Sequence, residues 1–550
     1  MKFFDRNTWF WFLVCGLLFF PFLGGVHLFD WDEINFAEIA REMAVSGDYL
    51  RMQINYETFT EKPPLFFWLQ AISMKIFGIN EYAARFPNAL LGFIVLPFLY
   101  VAGKFLYDRK FGFLWALSWF GSILPFLYFK SGIIDPIFNF FIFNGLFFLI
   151  QYMWRKKGTR DLYFSKSPAI YLLIAGASVG LGILSKGPVA YLIVGLCLFV
   201  YWILERFRFF ISPMAFVKFS LSALGVTLIW FGIDMAINGP EFFIDFTIRG
   251  WGLLPSGGAG YGGFAGYHFV VLLLGCFPAS VFAIRGMGKF KEASPHLVDF
   301  QRWMIILLWV ILILFSLVGT KIIHYSSMAY YPISFLSALT LRYLIDAKIN
   351  YKKWISISIA FLGIIISIVS FALPWIGLHI KDFLFLFEKD AFAMANMSAQ
   401  INWSLLDFIP AGIAILVLIG FFFSLKRNKY TAFKILFFGN CIWVFSALIF
   451  FIAKVEGISQ RANVEFFENV VGKNVYVTTY GYKSYVPWFY SKIEAHENQN
   501  AVNQNWLLHG KTDKTVLISC KINAKDKLEK DLLDVEFLYE KNGFYFYKRN

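Results

Sequence analysis

Long apolar runs recur along the sequence, and they limit what this chain can fold into more than any other feature. The first extends from Trp9 to Phe29. Twelve more follow at about 86–103, 111–129, 136–154, 168–184, 188–204, 216–236, 267–284, 303–319, 325–344, 354–373, 406–425 and 432–453. Most are close to the roughly 20 residues that a helix needs to cross a bilayer. With 58% hydrophobic and only 16% charged residues, a soluble or disordered chain is excluded. We expect an α-helical polytopic membrane protein with about 13 transmembrane helices.

The net charge of +14 is explained by membrane topology and does not require a polyanionic partner. Of the 50 basic residues, 25 fall in alternate loops between the apolar runs, and the opposite loops contain few. By the positive-inside rule the basic loops are cytoplasmic. We therefore expect a cytoplasmic N-terminus, an outer (periplasmic) C-terminal region, and no nucleic-acid partner.

The composition changes near residue 453. Residues 1–453 are expected to form the membrane domain, with a large outer loop at 30–85 and a flexible, glycine-dense outer loop at 237–266. Residues 454–550 contain the alternating runs NVYVTTY, KTVLISC, DVEFLYE and GFYFYK, and the helix-like run AKDKLEKDLL. These patterns predict a small soluble α/β domain on the outer face.

Two motifs in the first outer loop concentrate charged residues beside the membrane. Asp32 and Glu33 directly follow the first apolar run, ahead of a helical stretch at 35–45. One reading is that Asp32 caps this helix and Glu33 complements its dipole. Glu61 and Lys62 precede Pro63 and Pro64, whose restricted backbone would hold the lysine in place. A positioned ammonium of this kind suits a phosphate or pyrophosphate group.

Other isolated polar residues are expected at the same outer level. They are Asp135 in SGIIDP, Lys186 in LSKGP, Arg249 in FTIRGW, and Lys321, His324 and Tyr325 in TKIIHYSSMAYYP. Each alone could be a snorkelling or helix-capping residue. Ionisable residues at membrane depth are costly, however, and these lie on one face. The one-sided collection favours a site for an anionic, lipid-linked substrate.

These motifs resemble a known family. The segments DEINFAEIAREM, TEKPPLFFW and FGINEYAARFPNAL, followed by SGIIDP, LSKGP and KIIHYSSMAYYP, are similar to the outer-loop motifs of polyprenyl-phosphate-dependent GT-C glycosyltransferases. The match is to the aminoarabinose (lipid A) transferase and protein mannosyltransferase group, over roughly residues 1–345. The resemblance implies a GT-C fold with a soluble outer domain.

The resemblance also implies residue roles. Asp32 matches the family's catalytic aspartate, which would act as general base on the acceptor hydroxyl. Lys62 matches the lysine that contacts the donor phosphate, beside Glu61. Asp135, Lys186 and Arg249 match polar positions around the donor and acceptor. We assign Lys186 and Arg249 to phosphate binding, and Glu33, Lys321, His324 and Tyr325 to supporting positions.

The sequence departs from the family pattern at two positions. Asn35 stands where the aminoarabinose transferases typically have an arginine. Phe246 stands where some members have a histidine associated with a metal near the EKP glutamate. No cofactor is implied with certainty, and a divalent metal at Glu61 is left open.

The leading hypothesis is an inverting glycosyltransferase that takes a sugar from a polyprenyl-phosphate donor in the membrane lipid. The sugar could be a pentose, a hexose or an amino sugar. The acceptor could be a hydroxyl or phosphate on lipid A, another surface glycan or a protein. The alternatives are a transporter or flippase for a lipid-linked sugar, and a scaffold protein. A transporter would need polar residues along a path through the spans, and the apolar runs contain almost none.

Overall fold

The computed structural model describes residues 4–156, 158, 167–252, 263–290 and 294–550. Within these residues the chain is predominantly helical, with one short hairpin and one four-stranded sheet. Eight of the described helices are long and apolar enough to cross a membrane, and a ninth span results if the bent pair Tyr267–Gly275 and Ala279–Gly286 is counted as one. The prediction of a polytopic helical protein is confirmed.

The membrane region is built from helices that follow one another with short connections. Up to residue 204 they are Arg6–Phe19, Asp32–Ser46, Leu65–Phe77, Glu81–Leu106, Arg109–Phe120, Ile123–Tyr128, Asp135–Lys156, Pro168–Lys186 and Val189–Leu204. They continue with Pro213–Asn238, Glu241–Gly252, Tyr267–Gly275, Ala279–Gly286, Pro295–Leu317, the 3₁₀ turn Ile323–Ala329 and Tyr330–Ile345. The last group is Lys353–Leu378, Ile380–Phe383, Leu384–Phe387, Ala391–Met397, Leu405–Phe408, Ile409–Leu425 and Lys429–Ala447, which runs on through Leu448–Ile452 to Ala453–Ser459.

The predicted count of 13 spans is not confirmed, because several of the predicted runs form short or broken helices. The run that begins at Trp9 is helical only to Phe19, so this helix has 14 residues, about 21 Å at 1.5 Å per residue. Pro21 lacks an amide hydrogen and cannot continue the helix. The Lys130 ammonium satisfies the free carbonyls at the end of this helix by donating to Leu18, Phe19 and Pro21 at 3.0, 3.1 and 2.7 Å.

Three more predicted spans are interrupted. Residues 111–129 divide into two helices at a turn around Gly121. The run at 267–284 bends by 114° at Pro278. The run at 325–344 begins as a 3₁₀ turn, and Val189–Leu204 is apolar but has only 16 residues. Apolar composition alone did not reveal these breaks.

The loop predicted at 30–85 contains the predicted helix, which extends over Asp32–Ser46. It ends at Gly47, whose φ of 77° is readily adopted only by glycine. A short hairpin pairs β1 (Gln53–Ile54) with β2 (Glu57–Thr58), and helix Leu65–Phe77 follows Pro64. The outer loop predicted at 237–266 contains the helix Glu241–Gly252. Its residues 253–262, with most of the glycine-dense run, lie outside the described residues.

The strand-like runs predicted in the C-terminal region form a four-stranded sheet. Its strands are β3 (Tyr476–Tyr480), β4 (Val516–Lys521), β5 (Val535–Lys541) and β6 (Phe544–Arg549), in the order β3-β4-β6-β5. Strands β3 and β4 are parallel, and the other pairs are antiparallel. The helices of this region are Arg461–Glu468, Val486–Ser491, Gln499–Val502, Gln504–His509 and Ile522–Asp531.

The C-terminal region is hydrogen-bonded to the segment that follows the first helix. Leu28 donates its amide to the Tyr490 hydroxyl at 2.7 Å, and Tyr56 donates its hydroxyl to the carbonyl of Ile493 at 3.1 Å. His27 Nδ1 lies 2.8 Å from the buried carboxylate of Glu456. The boundary expected at 453/454 falls inside the helical segment 429–459, so the division into two domains stays a prediction. These contacts bring residues after 480 to the edge of the loop that carries Asp32.

Candidate active site

Asp32 is the first residue of its helix, and its carboxylate is not occupied by capping. The N-cap residue is Trp31, and no side chain makes a capping hydrogen bond at this end. The Asp32 side chain is 37% exposed, and its Oδ2 lies 3.5 Å from Nε2 of His324. A carboxylate at a helix N-terminus is stabilised by the helix dipole. Asp32 is therefore accessible and lies beside His324.

Two membrane helices bring a second carboxylate and a cation to the same place. Asp135 begins helix Asp135–Lys156, and Lys186 ends the neighbouring helix Pro168–Lys186. The two helices pack against each other, and Lys186 Nζ lies 2.6 Å from Asp135 Oδ1. His324 Nε2 is 3.9 Å from Asp135 Oδ2. Lys186, Asp135, His324 and Asp32 thus form a continuous line of charged and polar groups.

Lys62 adds a cation that pairs with none of the residues the structure describes. Burial lowers the pKa of its ammonium, and the neighbouring charge of Lys186 lowers it further; the charges of Glu61, Asp32 and Asp135 act in the opposite direction. In the described part of the chain, no hydrogen bond or ion pair engages the Lys62 ammonium. A half-buried cation without a partner is suited to an incoming anion.

Arg249 reaches the same loop from helix Glu241–Gly252. Its guanidinium forms an ion pair with Glu61 and stays 53% exposed. Phe246, one turn earlier on this helix, stacks on Phe242 at 5.8 Å. A Cβ at Gly187 would lie 2.6 Å from the Phe246 ring, and Gly187 has a φ of 105°. The glycine after Lys186 therefore lets an aromatic side chain close this wall of the site.

Two of the predicted supporting residues have structural roles. Glu33 is buried and lies away from Asp32, bonded to Arg85 Nη2 at 2.8 Å and Nε at 3.1 Å. Lys321 donates to the carbonyls of Phe315, Ser316 and Val318 at 3.1, 2.7 and 2.6 Å. It completes the end of helix Pro295–Leu317, much as Lys130 completes the first helix.

The turn that carries His324 and Tyr325 is held by a buried hydrogen-bond network. Ser327 shares a hydrogen bond of 2.7 Å with the Tyr128 hydroxyl and receives another from Asn139 at 2.8 Å. Lys186 Nζ lies 5.2 Å from the centre of the Tyr325 ring, a cation–π distance. His324 and Tyr325 therefore approach Asp32 and Lys186 on a fixed turn.

Sequence reasoning missed a group at the rim of the site that comes from opposite ends of the chain. Trp31 is 41% exposed beside Asp32. The rings of Trp31 and Tyr485 are 5.4 Å apart in an edge-to-face arrangement, and Lys483 Nζ lies 5.1 Å from the centre of the Trp31 ring. A sequence separation of about 450 residues has no local signal that could have predicted this contact.

The residues around Glu61 do not fit a metal ion. The Glu61 carboxylate is engaged by Arg249, and the position three residues before Arg249 is Phe246, which offers no ligand atom. Among the described residues, the group whose ligand atoms lie within 4.8 Å of one another is His27, Glu81 and Glu468. That group does not include Glu61.

Comparisons with known proteins agree with this architecture. A family model described as dolichyl-phosphate-mannose-protein mannosyltransferase matches residues 61–230. The crystal structure of ArnT from Cupriavidus metallidurans bound to undecaprenyl phosphate superposes with a TM-score of 0.74 at 16% identity, covering 99% of this chain and 98% of that one. This chain has the GT-C fold. The resemblance to the aminoarabinose transferase group is confirmed.

Sequence relatives carry related names. The undecaprenyl phosphate-alpha-4-amino-4-deoxy-L-arabinose arabinosyl transferase of Photorhabdus laumondii is 26% identical over 371 residues, or 65% of this chain and 63% of that protein. The enzyme of the same name from Aeromonas hydrophila is 25% identical over 393 residues, or 69% of this chain and 67% of that protein. The chain thus matches less than two thirds of the length of the Photorhabdus relative. In this GT-C fold, the predicted site residues other than Glu33 and Lys321 converge around Asp32 and Lys62.

Proposed function

We propose that this protein is a membrane glycosyltransferase that transfers a sugar from a polyprenyl-phosphate donor to an acceptor, with inversion at the anomeric carbon. The observation that carries the proposal is the Lys62 ammonium, which forms no hydrogen bond or ion pair with the described residues and lies in the electrostatic field of Asp32, Asp135 and Lys186. Two relatives whose names describe undecaprenyl-phosphate donors support the donor class.

The cations supply the donor side of the reaction. As the bond between the anomeric carbon and the phosphate oxygen breaks, negative charge grows on the departing polyprenyl phosphate. Lys62 and the exposed Arg249 guanidinium can stabilise this charge. Lys186 is already paired with Asp135, so it contributes through its field and by fixing Asp135.

Asp32 supplies the acceptor side. An acceptor hydroxyl forms a new bond to the anomeric carbon and must lose its proton, which Asp32 accepts as general base. A single direct displacement on the face opposite the phosphate inverts the anomeric configuration. His324 Nε2 lies 3.5 Å from Asp32 Oδ2, beside the proposed base. A phosphate acceptor would enter the same position with less need for a base.

We infer the orientation from the basic loops: the N-terminus is cytoplasmic, and the site and the C-terminal region face the outer side. The soluble character of residues 454–550 and their role as an outer-face domain belong to the same proposal. A flippase is less favoured, because the charged groups of the site gather at helix ends rather than along a path through the spans.

A proteoliposome assay tests the proposed function. Purified protein is reconstituted with labelled undecaprenyl-phosphate 4-amino-4-deoxy-L-arabinose, and in parallel with undecaprenyl-phosphate hexose, and acceptor glycolipid is added outside. Covalent transfer of label supports the proposal, whereas movement of donor across the bilayer without transfer supports a flippase. Lys62→Ala should weaken donor binding, and Lys75→Ala, an exposed lysine of the same outer loop, is the matched control.

A further inference from the structure

The rim of the site beside Asp32 is built from two distant parts of the chain. Trp31 comes from the first outer loop, and Lys483 and Tyr485 come from the loop that follows β3. The Tyr485 amide donates to Asp30 Oδ1 at 3.5 Å, and Gln460 accepts the Asp30 amide at 3.2 Å. The loop is therefore hydrogen-bonded to the residue two positions before the candidate base.

The three side chains have the chemistry of a carbohydrate-binding surface. The Trp31 indole is 41% exposed and Tyr485 only 3%, so Tyr485 supports the indole from behind. Exposed aromatic rings pack against the apolar faces of sugar rings, and polar groups around them set orientation. The exposed Lys483 ammonium lies 5.1 Å from the Trp31 ring centre and 5.4 Å from the Tyr485 ring centre.

Tyr485 connects this rim to the donor side. Burial raises the pKa of its hydroxyl, and the charges of Glu61 and Asp30 raise it further while Arg249 opposes them. The Tyr485 side chain therefore interacts electrostatically with the Glu61–Arg249 ion pair as well as with Asp30. A ligand on the exposed Trp31 ring would lie next to Asp32, the following residue in the chain.

A second lysine, Lys521, lies close to the rim. Lys521 is the last residue of β4, and its Nζ lies 4.9 Å from the centre of the Tyr482 ring. Tyr482 belongs to the loop that also holds Lys483. Its charge acts on Asp30. Lys62, Lys186 and Arg249 account for the donor phosphate, so these lysines are separate cations at the acceptor side. An acceptor that carries its own negative charge complements them.

We propose that Trp31, Lys483 and Tyr485 form an acceptor subsite that binds an anionic carbohydrate headgroup and presents its hydroxyl to Asp32. The proposal rests on the proposed transferase function. Trp31 stacks on the sugar ring and Lys483 binds the anionic substituent, while Tyr485 positions Trp31. No bond is made or broken in this subsite, so its residues govern acceptor affinity rather than the chemical step.

Steady-state kinetics of the full-length protein test this subsite. The acceptors are a phosphorylated disaccharide glycolipid, the same glycolipid after phosphatase treatment, and a peptide rich in serine and threonine. Lys483→Ala should raise KM for the phosphorylated acceptor about tenfold, as expected for one lost charge-assisted hydrogen bond. Its kcat, its donor KM and its KM for the dephosphorylated acceptor should stay unchanged.

Control variants separate binding from folding. Lys473→Ala removes an exposed lysine of the same region and should change nothing. Lys483→Arg should restore most of the lost affinity, and Trp31→Ala should weaken both glycolipids equally. Melting temperatures of the Lys483→Ala and Lys473→Ala proteins should agree, because a merely structural lysine would lower the first.

A binding measurement distinguishes failure of the subsite from failure of the transferase function. The Asp32→Asn protein should bind the soluble phosphorylated disaccharide, and adding Lys483→Ala should reduce that affinity about tenfold. An equal rise in KM for all three acceptors in the Lys483→Ala protein would overturn the subsite even if transfer is active. Transfer to the peptide that does not depend on Lys483 would overturn it as well. Acceptor binding that depends on Lys483, together with no sugar transfer by the wild-type protein, would instead overturn the proposed function.

Discussion

The pair Asp32 and Glu33 allows a sharp test, because the structure assigns neighbouring carboxylates to different tasks. Glu33 Oε1 accepts the Gly132 amide at 2.6 Å and Arg85 Nε at 3.1 Å. Its Oε2 accepts the Phe29 amide at 3.0 Å and Arg85 Nη2 at 2.8 Å. Burial raises the pKa of Glu33, but Arg85 and these hydrogen bonds lower it overall. Glu33 is thus a buried, ionised structural carboxylate.

The change Glu33→Gln keeps the shape of the side chain and removes its charge. The amide oxygen can replace only one of the two carboxylate oxygens, so the amide NH₂ must face one backbone N–H and one guanidinium N–H. Each unsatisfied donor costs about 1–3 kcal/mol, and a buried arginine that loses its partner costs about 3–5 kcal/mol in total. Asp32→Asn removes a partly exposed charge and should cost about 1 kcal/mol or less.

Thermal denaturation in detergent and transfer assays at low temperature measure the two effects separately. Glu33→Gln should melt well below the wild type, and its remaining folded protein should transfer sugar at a near-normal rate. Asp32→Asn should melt close to the wild type and lose transfer. Glu57→Gln, an exposed glutamate of the same loop, is the control. A Glu33→Gln protein that is stable but inactive would refute this assignment.

Three further predictions follow from other charged groups of the outer segment. Burial and the charge of Glu38 raise the pKa of Glu42 to about 9, so Glu42 is neutral at pH 7 and Glu42→Gln should leave the free energy of unfolding unchanged there. Glu38, in contrast, pairs with the buried Arg41 at 2.7 Å. In thermal unfolding, Glu38→Gln should therefore lower the free energy of unfolding by about 3–5 kcal/mol. Burial alone would lower the pKa of His27, but the hydrogen bond to Glu456 and the charges of Glu468 and Glu81 raise it overall. The stabilisation of the folded protein by protonated His27 is complete below about pH 6.5 and is lost as the pH rises through the raised pKa. Melting curves of His27→Asn should lack this pH dependence. The lowered pKa of Lys62 means that donor affinity should fall at a lower alkaline pH than for a free lysine, and Lys62→Arg, titrated against polyprenyl phosphate, should retain affinity there; an identical pH dependence in both proteins would contradict this role of Lys62.

Part of the fold was predictable because its signals are local. Apolar runs predicted most of the membrane helices, and alternating residues predicted the C-terminal strands. The count of 13 spans is not confirmed, because single residues end a helix without changing its hydropathy. Pro21 and Pro278 are examples. Such breaks depend on which groups hydrogen-bond to the free carbonyls at a helix end. Lys130 does so for the first helix.

The candidate site was predictable only for residues that motifs identify. Asp32, Lys62, Asp135 and Lys186 follow from charge at membrane depth and from family resemblance. Glu33 and Lys321 lie beside them in sequence, yet their side chains satisfy buried partners elsewhere. Whether a charged side chain faces a site or a helix end depends on tertiary packing, which spacing does not encode. Lys483 reaches the rim through the same kind of packing.

The most direct test of the central claim compares donor binding with transfer in the Asp32→Asn protein. The account predicts that this variant binds polyprenyl phosphate with the affinity of the wild type and transfers sugar about 10²–10⁴ times more slowly, the range expected for loss of a general base. Wild-type product should have an inverted anomeric configuration. Transfer by Asp32→Asn at the wild-type rate, or product with retained configuration, would contradict the account.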